Sequence, residues 1–132
     1  MALIGPGGRP VQSSAGASAA APAESSAFIK DANLESFTAD VLDASREVPV
    51  IVDFWAPWCG PCRSMAPAYE QATAALEPFI RVVKVDTEAE QGLGATYGIR
   101  SIPTLMLIHG GREIRRQAGA MDARRIIEWA RG

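Results

Sequence analysis

Two cysteines stand three positions apart in the stretch Trp58-Cys59-Gly60-Pro61-Cys62. Thiols at this spacing can close a small disulfide ring and open it again, which is the chemistry of a two-electron carrier. The pair follows an apolar run predicted as a strand and opens a predicted helix, and Pro61 fits a first helical turn. Free N–H groups and the dipole at a helix N-terminus favour a thiolate, the form that attacks disulfides. The spacing therefore predicts a redox-active pair with Cys59 as the nucleophile.

Two simpler interpretations apply to the same cysteines. Buried cysteines can serve as small apolar side chains, and two of them could form half of a zinc site shared across a dimer. The chain has 2 Cys and 1 His, so a four-ligand Cys/His zinc site within one chain is excluded. Neither interpretation explains why both cysteines lie at a strand-to-helix junction beside Pro and Trp. The redox interpretation is favoured, and no metal is expected.

The composition is that of one small globular domain. The 132 residues are 48% hydrophobic and 21% charged, which excludes collagen-like and coiled-coil repeats. A net charge of −2 argues against nucleic acid as a partner. Six arginines within residues 110–132 make that region basic, which we interpret as solvated helix and hairpin faces.

Residues 1–26 differ in composition from the rest of the chain. They contain 19 Ala, Ser, Gly or Pro residues, so we predict a flexible N-terminal tail before a folded domain at residues 27–132. The tail lacks the basic start and apolar core of a signal peptide. No stretch approaches the roughly 18 apolar residues of a membrane span. We therefore expect a cytoplasmic protein with no membrane partner.

Alternating hydrophobic patterns predict a chain of strands and helices. Strands are predicted at residues 27–30, 50–55, 81–86, 104–108 and 113–118. The last two form a hairpin around Gly110-Gly111. Helices fall between the other strands and after the last one, in the order β-α-β-α-β-α-β-β-α. This order predicts an α/β fold with a central mixed β-sheet flanked by helices on both faces.

Capping residues and apolar stripes place the helices. Asn33 is predicted to cap a first helix whose buried stripe is Leu34, Phe37, Val41 and Leu42. A second helix contains Pro67 and buries Met65, Tyr69, Ala72 and Leu76. Thr87 and Glu90 form a capping-box pattern for a short helix that ends near Tyr97-Gly98. Asp122 is predicted to cap a last helix that buries Ala123, Ile126, Ile127 and Ala130.

The residues around the cysteines, together with several sites further along the chain, resemble thioredoxin. Residues 52–62 read VDFWAPWCGPC, and the family's later positions are matched by Pro67, Lys84, Ile102-Pro103-Thr104 and Gly119. The resemblance covers residues 27–132 and implies the thioredoxin fold. Residues 83–88 and 119–121 look most like the thioredoxin 2 subtype, here without its zinc-binding N-terminal segment. The Ala/Gly-rich start is similar to that of chaperedoxin-type holdases.

The resemblance implies roles for residues that the pattern alone leaves open. Cys59 would attack a substrate disulfide, and Cys62, expected to be less exposed, would resolve the mixed disulfide. Asp53 is either a structural carboxylate satisfied by hydrogen bonds or, as the family implies, a buried acid with a raised pKa. In the second case it exchanges a proton with Cys62 through water. Lys84 either tunes this acid or is a solvated lysine at a strand end.

The resemblance also implies a substrate-binding surface beside the cysteines. The peptide Ile102-Pro103 would be cis and lie against the disulfide, with a plain loop proline as the alternative. An apolar patch there would hold extended client backbone. The residues expected to bind substrate are Trp58, Gly60, Pro61, Ile102, Pro103, Gly119 and Ala120. Trp55 is expected to pack beneath the site.

These expectations combine into a monomeric protein disulfide reductase with no bound cofactor. The resemblance implies that electrons come from NADPH through a thioredoxin reductase, and that the partners are this reductase and disulfide-containing client proteins. Gly60-Pro61 between the cysteines resembles the reducing members of the family. A thioredoxin-fold holdase that acts through its apolar surface is the alternative, although a pure binder has no need of the cysteine pair. A periplasmic or membrane-tethered reductase is a third hypothesis, which the missing apolar segment disfavours.

Overall fold

The computed structural model describes residues 29–132, so the predicted tail at residues 1–26 lies outside the described residues. The strands are β1 (Ile29–Asp31), β2 (Val50–Trp55), β3 (Arg81–Asp86), β4 (Thr104–His109) and β5 (Arg112–Ala118). The helices are α1 (Gly60–Leu76), α2 (Gln91–Thr96) and α3 (Ala123–Arg131). A π-helical segment at Thr38–Asp43 runs into a 3-10 turn at Ala44–Arg46. All five predicted strands are present. Residues 27 and 28 of the first predicted strand lie outside the described residues, and the other strand ends agree with the prediction to within one residue.

The strands form one mixed sheet in the order β1-β3-β2-β4-β5. Strand β3 pairs in parallel with β1 and β2, whereas β4 pairs antiparallel with β2 and β5. Strand β2 is therefore central, with a partner along each edge. This position explains its nearly continuous apolar sequence, because a central strand between two helical layers is covered on both faces. The predicted central mixed sheet is confirmed.

Helices cover both faces of the sheet, each with its own apolar core. On the face that we call the α2 face, Val52 and Phe54 pack with residues of the π-helical segment and of α2. On the opposite face, which we call the α1 face, Ile51 packs with residues of α1 and α3. The predicted stripe of α1 is buried, at Met65, Tyr69, Ala72 and Leu76. The prediction of an α/β fold with helices on both faces is confirmed.

The first helical region differs in part from the prediction. The predicted cap is not formed at the helix itself. The π-helical segment has Phe37 as its N-cap without a side-chain hydrogen bond, and Asn33 Oδ1 instead accepts the N–H of Ser36 at 2.8 Å in the preceding turn. Leu34 was expected on the buried stripe but is 66% exposed. It lies in the turn before the helix, where its N–H donates to Glu90 Oε1 at 3.0 Å. The rest of the predicted stripe packs into the core, at Phe37, Val41 and Leu42.

The predicted capping box at Thr87 and Glu90 is wrong, although the short helix is present as α2. The N–H and the hydroxyl of Thr87 both donate to the carbonyl oxygen of Trp55, at 2.8 and 3.0 Å. The Glu90 carboxylate accepts from the turn before the first helix instead of reaching back to Thr87. Asp86 Oδ1 holds the turn before α2 by accepting two backbone N–H groups, from Glu88 and Ala89. The hydroxyl of Thr87 thus ties this turn to the end of β2.

The hairpin and the C-terminal helix follow the prediction. Gly110 and Gly111 join β4 to β5 with positive φ angles of 66° and 79°, which glycine adopts without steric strain. Asp122 Oδ1 accepts the N–H of Arg125 at 2.9 Å, which confirms the N-cap of α3. Pro67 lies inside α1, as predicted. None of the helices within residues 29–132 has the length and apolar character needed to cross a bilayer.

Candidate active site

The two cysteines lie where the central strand β2 is followed by helix α1. Strand β2 ends at Trp55, and the carbonyl oxygen of Ala56 accepts the N–H of Cys59 at 3.1 Å. Helix α1 begins at Gly60, so Cys59 is its N-cap residue, and its Sγ accepts the N–H of Cys62 at 3.1 Å. A sulfur in this position faces the free N–H groups and the positive end of the helix dipole. Both stabilise a thiolate.

Cys59 and Cys62 are joined by a disulfide across the first turn of α1, with their Cα atoms 5.3 Å apart. Cys59 is 4% exposed and Cys62 is 3% exposed. The order of exposure is the predicted one, but the difference is too small to decide which sulfur attacks. The N-cap position distinguishes the two, because the thiolate of Cys59 alone would receive the hydrogen bond from the helix start.

The loop before β4 brings a proline to the disulfide. The carbonyl oxygen of Ile102 lies 3.9 Å from Cys59 Sγ, and the Ile102-Pro103 peptide is cis. The predicted cis bond is therefore confirmed, and the plain loop alternative is excluded. The N–H of Gly119, at the end of β5, donates to the carbonyl oxygen of Pro103 at 2.9 Å. Two chain segments far from the cysteines in sequence are thus held beside them.

An exposed aromatic side chain and a groove border the disulfide. Trp58 is 67% exposed. Trp58 and Ile102 line a groove of about 300 Å³ whose other lining residues are Thr87, Gln91, Gly94, Ile99, Arg100 and Ser101. Nothing in the sequence pattern predicted these six residues at the site. Thr87 is held there by its hydrogen bonds to the end of β2, a contact between segments distant in sequence.

The other predicted surface residues lie around this region to different degrees. Gly60 and Pro61 are exposed in the first turn of α1, between the two cysteines. Gly119 is exposed and is held to Pro103 by its backbone N–H. Ala120, the next residue, is also exposed. The role of these residues in substrate binding stays a prediction.

Asp53 is a buried acid on the α1 face of β2. Its side chain shares this face with Ile51 and Trp55, because alternate residues of a strand point to one side. It is 2% exposed, and burial raises its pKa to about 7, against a smaller lowering by the Lys84 ammonium. Among the described residues its Oδ1 atom has no hydrogen-bond partner. Both interpretations of Asp53, the structural carboxylate and the acid that exchanges a proton, stay predictions at this point.

Lys84 lies opposite Asp53 in the register of β2 and β3. Its Nζ atom is 4.1 Å from the centroid of the Trp55 ring, which is a cation–π contact. Trp55 also packs against the apolar cluster around the cysteines, as predicted. Lys84 therefore connects the buried acid and the aromatic ring beside the disulfide, which favours the tuning interpretation over a freely solvated lysine.

Metal ligands are not grouped in the described part of the chain. Within residues 29–132, no three His, Cys, Asp or Glu side chains are arranged to hold a metal ion. The chemistry that the described site carries is that of the cysteine pair, with an ionisable carboxyl group on the same face of the sheet.

A disulfide that opens and closes at a helix start, on a mixed sheet of this order, exchanges electrons with other thiols and disulfides. The fold and the site define a dithiol–disulfide oxidoreductase. Comparison with known proteins specifies the class further. The Thioredoxin family model matches residues 28–132, and the chain belongs to the thioredoxin family. It is a thioredoxin-type dithiol–disulfide reductase, and proteins of this family need no bound cofactor.

Three relatives show the extent of the similarity. A thioredoxin from Synechocystis sp. is 49% identical over 86 residues, which cover 65% of this chain and 78% of the relative. The chloroplastic M-type thioredoxin of Chlamydomonas reinhardtii is 41% identical over 96 residues, covering 73% of this chain and 67% of the relative. A thioredoxin from Haemophilus influenzae is 38% identical over 101 residues, covering 76% of this chain and 90% of the relative.

Proposed function

We propose that Cys59 attacks the substrate disulfide and that Cys62 resolves the resulting intermediate. The thiolate of Cys59 forms a bond to one client sulfur, and the other client sulfur leaves as a thiolate. Cys62 then loses its proton and attacks Cys59 Sγ, which releases the second client thiol and closes the Cys59–Cys62 disulfide. Two electrons pass to the client. The observation that carries this assignment is the hydrogen bond from the Cys62 N–H to Cys59 Sγ, because it stabilises negative charge on Cys59.

Asp53 is the proton acceptor for Cys62 in this proposal. Its pKa of about 7 lets the carboxyl group both accept and release a proton near neutral pH. Among the described residues no group donates a hydrogen bond to its Oδ1 atom, so this oxygen can accept one from a water molecule between the carboxyl and the thiol. Lys84 supports the charged form of Asp53, since an ammonium group nearby lowers the pKa of a carboxyl.

The surface beside Cys59 binds the client segment that carries the target disulfide. Trp58 and Ile102 provide apolar contact along the groove. Pro103 is buried and shapes this surface from beneath, and its bond to the exposed Gly119 fixes the backbone along which an extended client chain would lie. The exposed turn at Gly60-Pro61 lets a client sulfur approach, and Ala120 extends the same surface at its edge.

The reaction cycle of this proposal continues with reduction of the Cys59–Cys62 disulfide by a thioredoxin reductase. NADPH supplies the electrons to that reductase, and disulfide-containing proteins are the clients. The protein acts as a monomer in the cytoplasm, and residues 27–132 form its functional domain after an N-terminal tail. The family membership and the disulfide at the start of α1 support this cycle.

The roles of the two cysteines are tested by insulin reduction in the presence of dithiothreitol. We expect Cys59→Ser to fall to the rate of dithiothreitol alone, because a serine hydroxyl is not ionised near neutral pH. Cys62→Ser, reduced and then freed of dithiothreitol before it is mixed with insulin, should instead accumulate a mixed disulfide with insulin, visible as an adduct on a non-reducing gel. An adduct with Cys59→Ser and none with Cys62→Ser would reverse the two roles. Equal precipitation rates for wild type and Cys59→Ser would contradict the catalytic assignment.

The exposure of Trp58 favours a second candidate function, binding of clients without redox chemistry. The double variant Cys59→Ala, Cys62→Ala discriminates between the two functions. If this variant suppresses aggregation of a model client as well as wild type does, while wild-type reductase activity is negligible, the holdase function replaces the first proposal.

A further inference from the structure

Tyr69 is a buried phenol that the proposed reaction does not use. It is 1% exposed, and its hydroxyl donates to the carbonyl oxygen of Val83 at 2.8 Å. The same hydroxyl lies 3.4 Å from the carbonyl oxygen of Ile51. Tyr69 follows Cys62 by seven residues, which is two turns of α1, so both side chains lie on the buried face of the helix. Sequence periodicity predicts only a core residue here, because it does not distinguish the ring from its hydroxyl.

The hydrogen-bond partners of Tyr69 lie next to the residues that surround Asp53. Val83 directly precedes Lys84, which pairs with Asp53 in the β2–β3 register. Ile51 lies two residues before Asp53, on the same side of β2. The hydroxyl therefore lies on the α1 face, against backbone carbonyls of the two strands that carry Asp53 and Lys84. The pKa of Tyr69 is raised by burial first and by the Asp53 carboxylate next, in agreement with this proximity.

We propose that Tyr69 is a positioning residue for proton transfer between Asp53 and Cys62. Its hydroxyl fixes the β3 backbone at Val83, immediately before Lys84, and it adds a polar group to the α1 face, which also buries Thr73. The inference rests on the proposed role of Asp53.

Removal of the Tyr69 hydroxyl has three consequences, and each of them raises the pKa of Asp53. The Val83 carbonyl oxygen loses its hydrogen-bond donor, so its partial negative charge repels the Asp53 carboxylate more strongly. The surroundings of the carboxyl become more apolar, which disfavours its charged form. The backbone before Lys84 is held less firmly, which weakens the contact of the ammonium with the carboxylate. Each change makes Asp53 harder to ionise.

The ionisable groups that face Asp53 come from two elements. Strand β3 contributes Lys84, and helix α1 contributes Tyr69 and Cys62. Strand β4 contributes an apolar residue, Leu105, at the position opposite Asp53. In the oxidised protein Cys62 is part of the disulfide and does not titrate. A titration of Asp53 in this form therefore reports the effect of Tyr69 without a contribution from the thiol.

The test compares Tyr69→Phe with Tyr97→Phe in the full-length chain. Tyr97 is the second tyrosine of the sequence, and it packs against Phe37 and Phe54 on the α2 face, so its hydroxyl is a matched control. The Asp53 carboxyl is titrated by carbon-13 NMR in the oxidised protein, and Asp53→Asn identifies its signal. We expect Tyr69→Phe to raise the midpoint by about 0.5 pH unit, a threefold change in the ionisation constant, and Tyr97→Phe to leave it unchanged.

The pH dependence of mixed-disulfide resolution is measured on the reduced variants. Its midpoint should move upward by the same amount in Tyr69→Phe, with no such shift in Tyr97→Phe. An unshifted Asp53 titration in Tyr69→Phe, or an equal shift in both variants, overturns the role of Tyr69 and leaves that of Asp53 standing. A shifted titration with an unchanged resolution profile contradicts proton transfer by Asp53, and the present inference with it.

Discussion

The α2 face and the α1 face of the sheet bury apolar clusters of the same size, eleven residues each. Their polar content differs. The buried polar residue of β4 on the α2 face is Thr104, whose hydroxyl donates to a backbone carbonyl in its own loop at 2.7 Å. The α1 face buries Asp53, with one oxygen unpartnered, and the phenol of Tyr69. One face satisfies its polar groups locally, and the other retains an ionisable group.

This difference assigns separate tasks to two layers of equal size. A buried carboxyl whose charged form is disfavoured opposes folding at neutral pH, because the unfolded chain ionises it freely. Burial of Asp53 on the α1 face therefore lowers the free energy of unfolding at neutral pH, at the residue that the proposed reaction uses. The α2 face carries no such carboxyl group among its clustered residues, and its core supports the client groove through the packing of Ile99 and Ile102. Substitutions on the two faces should consequently separate activity from stability.

The largest effect is expected when the buried charge is removed by Asp53→Asn. The pKa of Asp53 is about 7 in the folded state and 3.8 for an ordinary, solvated aspartate, so between these values the folded state holds a proton that the unfolded state has lost. Stability from this group is fully present below pH 3.8 and is lost as pH rises through about 7. The free energy of unfolding of the variant, relative to wild type, should rise by about 4 kcal/mol from pH 4 to pH 8.

Urea denaturation at a series of pH values measures this difference. The matched control is Asp122→Asn, because Asp122 is exposed and asparagine caps a helix as well as aspartate does. The control should follow the pH dependence of wild type. If Asp53→Asn and wild type kept a constant difference over this range, the raised pKa of Asp53 would be disproved. The variant should also resolve mixed disulfides more slowly, so that stability rises while activity falls.

The opposite outcome is expected for Ile108→Ala on the α2 face. Ile108 is 1% exposed and pairs with Val50, at the end of β2 farthest from Trp55. The cavity should lower the free energy of unfolding by about 3 kcal/mol. Insulin reduction by the folded protein should be unchanged, and Ile108→Val should lower stability by about 1 kcal/mol. A loss of activity beyond the unfolded fraction would show that the α2 face takes part in the chemistry.

The sequence was sufficient to predict the elements whose signals are local. The apolar run of β2, the buried stripe of α1 and the hairpin around Gly110-Gly111 are all confirmed, because strand and helix periodicity act over a few neighbouring residues. The pairing of Cys59 with Cys62 followed from their spacing and position. The cis peptide before Pro103 required the family resemblance, since the local sequence permits either isomer.

Features that depend on distant partners could not be predicted. Thr87 fits a capping box, yet its hydroxyl bonds to Trp55, 32 positions earlier. Tyr69 fits a core stripe, yet its hydroxyl selects a carbonyl on β3. In both cases the side chain forms its hydrogen bond with a strand that is distant in sequence, and the partner is determined by how the helices pack on the sheet.

The smallest effect among these predictions concerns Ser45, another residue with distant partners. Its Oγ donates to the carbonyl oxygen of Leu42 at 2.7 Å and accepts the N–H of Gly111 at 2.9 Å, so it anchors the β4–β5 turn to the first helical region. Ser45→Ala should lower the free energy of unfolding by about 2 kcal/mol, because Gly111 loses its acceptor. Ser64→Ala, at an exposed position of α1, is the control and should change stability little. Thermal unfolding should report this loss of stability. The pH profile of reduction should stay that of wild type, because Ser45 anchors the β4–β5 turn and not the surroundings of Asp53. A shifted profile would contradict the separation of stability and activity between the two faces.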